Sequence, residues 1–147
     1  MKITNSEKKI SYFSEELETL EKKIGELLNT IESSYSDEAF LFSQSSILEL
    51  RANFLYQRAD RLKQEISSFL QQIQDPAPDR MQDEVSPALL RQQMILAEGQ
   101  RLNLKRLLDS LTEMKKAAGT KGGIDHLLLL RQLKTCLESF GNQPHGS

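Results

Sequence analysis

Apolar residues return every seven positions through two long stretches of the chain: Ile3, Ile10, Leu17, Ile24 and Ile31, then Leu41, Leu48, Leu55, Leu62 and Phe69. A period near 3.5 sustained over several heptads suits helices packed lengthwise on one another; a strand, whose side chains alternate with period two, cannot place such residues on one face. The predicted fold is all-α: an elongated antiparallel helical hairpin with two further helices, forming a three- or four-helix bundle with coiled-coil character. At 147 residues and 38% apolar content, the chain fits a single helical domain.

The first predicted helix covers about residues 5–33, where Phe13, Leu20 and Leu27 complete the seam and Leu28 widens it beyond a two-stranded stripe. In a parallel homodimer Glu16 would face Glu21 of the other copy, so an antiparallel neighbour is expected. Ser33, Ser34 and Ser36 interrupt the pattern, and Ser36 before Asp37 and Glu38 reads as an N-cap with acids in the first turn. The second helix is predicted over 37–74, with the seam Leu41, Ser45, Leu48, Ala52, Leu55, Ala59, Leu62, Ile66, Phe69 and Ile73. Unbroken, it would be about 60 Å long.

Residues 75–86 read as a linker, after which Pro87 suits the first position of a third helix over 87–118. That helix repeats Leu90, Ala97, Leu104, Leu111 and Ala118 at sevens, with Leu107, Leu108 and Met114 filling the face. Glycines at 119, 122 and 123 stop it. A fourth helix is expected at 124–140, carrying Leu127 to Leu130, Leu133, Leu137 and Phe140, before a flexible tail at 141–147.

The second helix is apolar on more than its seam. Phe40, Ile47, Leu50 and Phe54 fall on the opposite side of the helical wheel, with Phe42 and Tyr56 between, and five of the nine aromatic residues lie within 35–56. Such a helix is either sandwiched between neighbours or offers one side to a partner. Cover by the fourth helix or part of the third is the plainer reading. The four consecutive leucines pose the same choice, since one packed face cannot bury them all: the fourth helix sits centrally, or Leu128 and Leu129 face another chain. The candidate partner-binding residues are thus Phe40, Phe42, Ile47, Leu50, Phe54, Tyr56, Leu128 and Leu129.

The third helix holds the basic surplus, and Arg101, Lys105 and Arg106 could touch phosphates. No aromatic accompanies them there, and the net charge of −2 removes any general attraction to polyanions. Nucleic-acid binding is the lesser alternative; a solvated or ion-paired face is the plainer one. No catalytic residues, cofactor, metal or small-molecule substrate is expected. His126 has no ligand-type residue three or four positions away, and no seam position carries the carboxylates of a di-metal bundle. The Gly119-Thr-Lys-Gly sequence lacks the upstream glycine of a phosphate loop and follows a helix instead of a strand. Cys136 reads as a small buried hydrophobe.

A lone cysteine and a charged N-terminal stretch without an apolar core suggest a cytoplasmic protein with no signal peptide and no membrane span. The expected function is a non-enzymatic protein–protein interaction module: an adaptor, assembly subunit or export chaperone, able to self-associate or to bind a partner through apolar helix faces.

Overall fold

The seam periodicity becomes five helices in the computed structural model, which describes residues 5–74, 85–118 and 124–141. They are α1 (Asn5–Ser34), α2 (Glu38–Ser43), α3 (Ser45–Gln74), α4 (Val85–Ala117) and α5 (Ile124–Gly141). The predicted linker as far as residue 84, the glycine-rich turn at 119–123 and the tail from 142 lie outside the described residues. The long helices α1, α3, α4 and α5 run antiparallel in succession. Glu16 meets Arg58 while Thr30 meets Arg51, Glu98 meets Lys63 while Lys115 meets Glu49, and His126 meets Ala117 while Cys136 meets Ser110.

The expected 37–74 helix is divided. At Gln44 the backbone takes φ −91° and ψ −2°, and its N–H is shared between the carbonyls of Phe40 and Leu41 at 3.0 and 3.2 Å. Two serine hydroxyls flank the break. Ser43 Oγ donates at 2.6 Å to the Phe40 carbonyl, which also accepts the Gln44 N–H, and the buried Ser45 Oγ donates to the Phe42 carbonyl at 2.7 Å. The cap of α2 also shifts by one residue, because Asp37, not Ser36, accepts the Phe40 N–H on its carboxylate at 3.1 Å.

Two apolar clusters run end to end along the bundle. The longer joins Leu20, Ile24, Leu27 and Ile31 of α1, Leu41 and Phe42 of α2, Leu48 to Ala59 of α3, Leu104 to Met114 of α4, and Leu133 and Phe140 of α5. The other joins Phe13 and Leu17 with Leu62, Ile66, Phe69, Leu90 and Ala97, so one half of the bundle is three helices thick and the other gains α2 and α5. Fully burying each large side chain contributes about 1.5–3 kcal/mol, which is what holds helices of such modest individual propensity together.

The closest pair is α3 with α4 rather than the α1–α3 hairpin. Ser45, Ala52 and Ala59, seven apart and fully buried on α3, supply the reason: small seam residues let two helix axes approach toward the short end of the usual 8–10 Å range. α1 lies against both, fastened near its start by Gln93, whose Nε2 donates to the Ile10 carbonyl and to Ser14 Oγ, both at 2.9 Å.

α5 does not occupy the middle of the bundle. It packs on the outside of α4, held by the Tyr35 hydroxyl donating to the Leu130 carbonyl at 2.9 Å and by His126 Nε2 donating to the Ala117 carbonyl at 3.1 Å. The His126 ring also stacks on Phe42, centroids 4.2 Å apart. An imidazole on the last carbonyl of α4 helps to close that helix end.

Candidate partner-binding face

Successive residues of a helix are turned by about 100°, so side chains at i, i+3 and i+7 form one stripe. On α3 this places Ile47, Leu50 and Phe54 together on the outside, 54%, 66% and 65% exposed, and Phe40 of α2 stands one heptad earlier at 48%. Cover by the last predicted helix or part of the third, the plainer expectation, does not occur: these four residues stay open to solvent.

The remaining candidates divide by the same geometry. Phe42 follows Phe40 by two residues, about 200° around the helix, and goes into the core, 5% exposed and stacked on His126. It belongs to the fold and is withdrawn from the face. Tyr56 is half-buried, leaning on the core and reaching α4, where its hydroxyl accepts from Arg101 at 3.3 Å. Leu129 is half-buried against the core, whereas Leu128 and its neighbour Leu127 are exposed on the outer side of α5, apart from the α2–α3 stripe.

Periodicity alone misses Tyr12. Its ring is exposed on α1 and, with Phe54, lines an open cleft between α1 and α3 that also takes in Glu16, Arg58, Arg61 and Glu65. Partial desolvation of its phenol and the nearby Glu65 and Glu16 carboxylates push its pKa above the ordinary value. Arg58 crosses the cleft to Glu16 at 2.8 Å. The apolar stripe therefore continues beyond Phe54 into a polar channel. Only the position of Tyr12 next to the seam residue Phe13 could have hinted at this.

The basic residues of α4 meet different fates. Arg101 bonds the Glu98 carboxylate through Nε and Nη2 at 2.9 and 2.7 Å and lies 3.9 Å from Asp60, while Lys63 reaches Glu98 at 2.8 Å. Lys105 pairs with Asp109 at 3.1 Å and stands 5.9 Å over the Tyr56 ring; Arg106 is exposed. The three candidates thus form no free basic cluster, since two of them are committed to ion pairs and ring contacts at the α3–α4 boundary. Glu98 is held at a pKa of about 2, first by the Arg101 guanidinium and then by Lys63, and Arg101 is raised in return. At the far end, the Thr112 hydroxyl and the Lys115 ammonium keep Glu49 below its ordinary range.

A depressed carboxylate stabilises the fold above its unfolded pKa, and that contribution is lost as pH falls from 4.5 toward about 2. The groups are partly exposed, so after solvent screening the pairing is worth about 1–2 kcal/mol. Glu98→Gln is expected to lower stability by that amount at neutral pH and to converge with the wild type near pH 2. Urea titrations from pH 7 to pH 2 check this; parallel pH profiles for the two proteins would rule the network out as a stabilising element.

Among the described residues no three His, Cys, Asp or Glu side chains converge as a metal site, and no helix is long and apolar enough to cross a membrane. Cys136 is half-buried beside Ser110, with Sγ and Oγ 3.5 Å apart. No protein-family model, curated protein or solved structure matches this chain.

Proposed function

We propose that the chain is a non-enzymatic interaction module, an adaptor, assembly subunit or export chaperone, that binds a protein partner through the exposed α2–α3 face. The observation that carries the reading is the stripe Phe40, Ile47, Leu50 and Phe54. Four large apolar side chains in helical register, each about half exposed or more, sit on a bundle whose core is complete without them. Scattered exposed leucines are ordinary, but a contiguous row at i, i+3 and i+7 matches the way one helix receives another. The basic face of α4 gives less support to a nucleic-acid role, because Arg101 and Lys105 already serve α3 and α4.

Alanine at Phe40, Ile47 and Phe54 together is expected to leave helicity and melting nearly unchanged, since none of the three is a core residue. The same triple variant is expected to lose whatever partner the wild type captures from a lysate of its own cells. Circular dichroism and affinity capture read the two effects. A large fall in melting temperature, or unchanged capture by the variant, defeats the proposal.

A further inference from the structure

The apolar stripe is symmetric about its own middle. Phe40 stands seven residues before Ile47 and Phe54 seven after it, so the row has an aromatic ring at each end and branched aliphatic residues, Ile47 and Leu50, between. Seven residues rise about 10 Å and turn a helix about 20° short of two full turns. The two rings therefore lie equally far above and below Ile47 and are displaced from it by equal and opposite angles. The distortion at Gln44 keeps this arrangement, since Leu41 and Leu48 on either side of it are both buried and Phe40 is exposed. The face is flanked, not covered: α3 reaches α1 through Arg51 and Arg58 on one side, and α4 through Glu49, Asp60 and Lys63 on the other. The cleft beyond Phe54 holds Glu16 and Glu65 as well as Arg58 and Arg61, so charge there favours neither an acidic nor a basic occupant. The apolar spacing has to decide.

Resting on the interaction role proposed above, we infer that the occupant of this face is a second copy of the chain, paired antiparallel about a two-fold axis that passes beside Ile47. A two-fold pairing requires that whatever lies above the axis on one copy meets what lies equally far below it on the other. The stripe satisfies this at each of its positions. Phe40 of each copy meets Phe54 of the other, and Ile47 meets Ile47. Leu50 comes over Ser43 of the other copy, an exposed residue small enough to receive it, whose hydroxyl is turned to the Phe40 carbonyl at 2.6 Å. A helix from an unrelated partner places no such requirement on the spacing. The area suits a reversible dimer. A fully covered aromatic side chain buries about 150–250 Å², so four large side chains, each about half exposed or more, hide roughly 400 Å² per copy. Two copies together hide about 800 Å², and a polar rim brings the total to the lower edge of stable interfaces, about 1,200 Å².

The test is sedimentation equilibrium of the full chain at concentrations up to about 200 μM, where a dimer of even modest affinity is populated. A monomer–dimer equilibrium with a dissociation constant of about 1–100 μM is expected from an interface at the small end of the range. Phe40→Ala/Phe54→Ala is expected to raise that constant at least about tenfold, because it removes both aromatic pairs. Since Ile47 faces itself, Ile47→Glu alone and Ile47→Lys alone are each expected to be monomeric, whereas an equimolar mixture of the two re-forms a dimer in which the facing charges are opposite. All substituted residues are exposed, and melting of each variant confirms that it folds. A wild type that stays monomeric overturns the inference; so does a dimer indifferent to charge at Ile47, or a mixture that stays monomeric. The interaction role is read separately, by the capture experiment above. A monomeric wild type whose triple alanine variant loses a different captured polypeptide assigns the face to that other occupant and leaves the role standing. A monomeric wild type with unchanged capture by the variant overturns both.

Discussion

Phe42→Ala is expected to destabilise the protein by about 3–5 kcal/mol, the cost of emptying a buried phenylalanine site that can only partly collapse. Phe40→Ala, two residues earlier, is expected to cost no more than about 0.5 kcal/mol, as at other surface positions. The contrast follows from burial, 5% exposed against 48%, and from what Phe42 touches. Its ring lies in the longer core cluster and carries the stacked His126, so its removal loosens both α2 and the attachment of α5. For a chain of this length the loss corresponds to a melting temperature lower by roughly 6–20 °C. Thermal melts of the two variants side by side read the difference; similar melting of both would mean that α2 is rotated from the orientation described here.

Ala59→Leu is expected to be the most damaging addition of volume, at about 1–3 kcal/mol and possessing no compensating burial to offset it. Ala59 is fully buried on the seam of α3, the helix most closely applied to α4. Three further carbon atoms there have to push the helices apart, and separation would stretch the contacts of Lys63 and Arg101 with Glu98 and Asp60 in the same stretch. Gln57→Leu, on the exposed side of α3, adds an apolar side chain without entering that seam and is expected to be nearly neutral. Urea denaturation compares the two. Wild-type stability in Ala59→Leu would show a looser α3–α4 spacing than the small residues imply.

The helices and their buried faces were legible in the sequence because burial in a bundle is periodic. Phe13 to Ile31, Leu41 to Phe69 and Leu90 to Leu111 all present the expected seam residues to the core. Features that depend on competition between neighbouring groups were harder to read. The division at Gln44 lies between two serines whose hydroxyls bond back to the preceding turn, and unbroken seam spacing across residues 41–48 conceals it. The candidate face was half legible. Phe40, Ile47, Leu50 and Phe54 were separable from the core by angle alone, whereas Phe42 and Tyr56 fall between the two sides, and only the positions of His126 and Arg101 decide them. Arg101 could be placed on a solvated or ion-paired face, with Glu98 three residues before it on the same helix, but its contacts with Asp60 and Tyr56 depend on which helix lies alongside.

A heptad repeat is degenerate: sliding one helix by seven residues returns apolar side chains to apolar positions, and several alignments of α4 on α3 would bury similar surface. The charged belt at their boundary removes that degeneracy. Moving α4 by one heptad in either direction would replace Glu98 by Arg91 or Lys105 opposite Lys63, and Arg101 by Met94 or Leu108 opposite Asp60. Attraction would become repulsion at one contact and lose its partner at the other. Individually weak ion pairs thus act as an alignment mark, choosing among registers that the hydrophobic seam alone would leave nearly equal in energy.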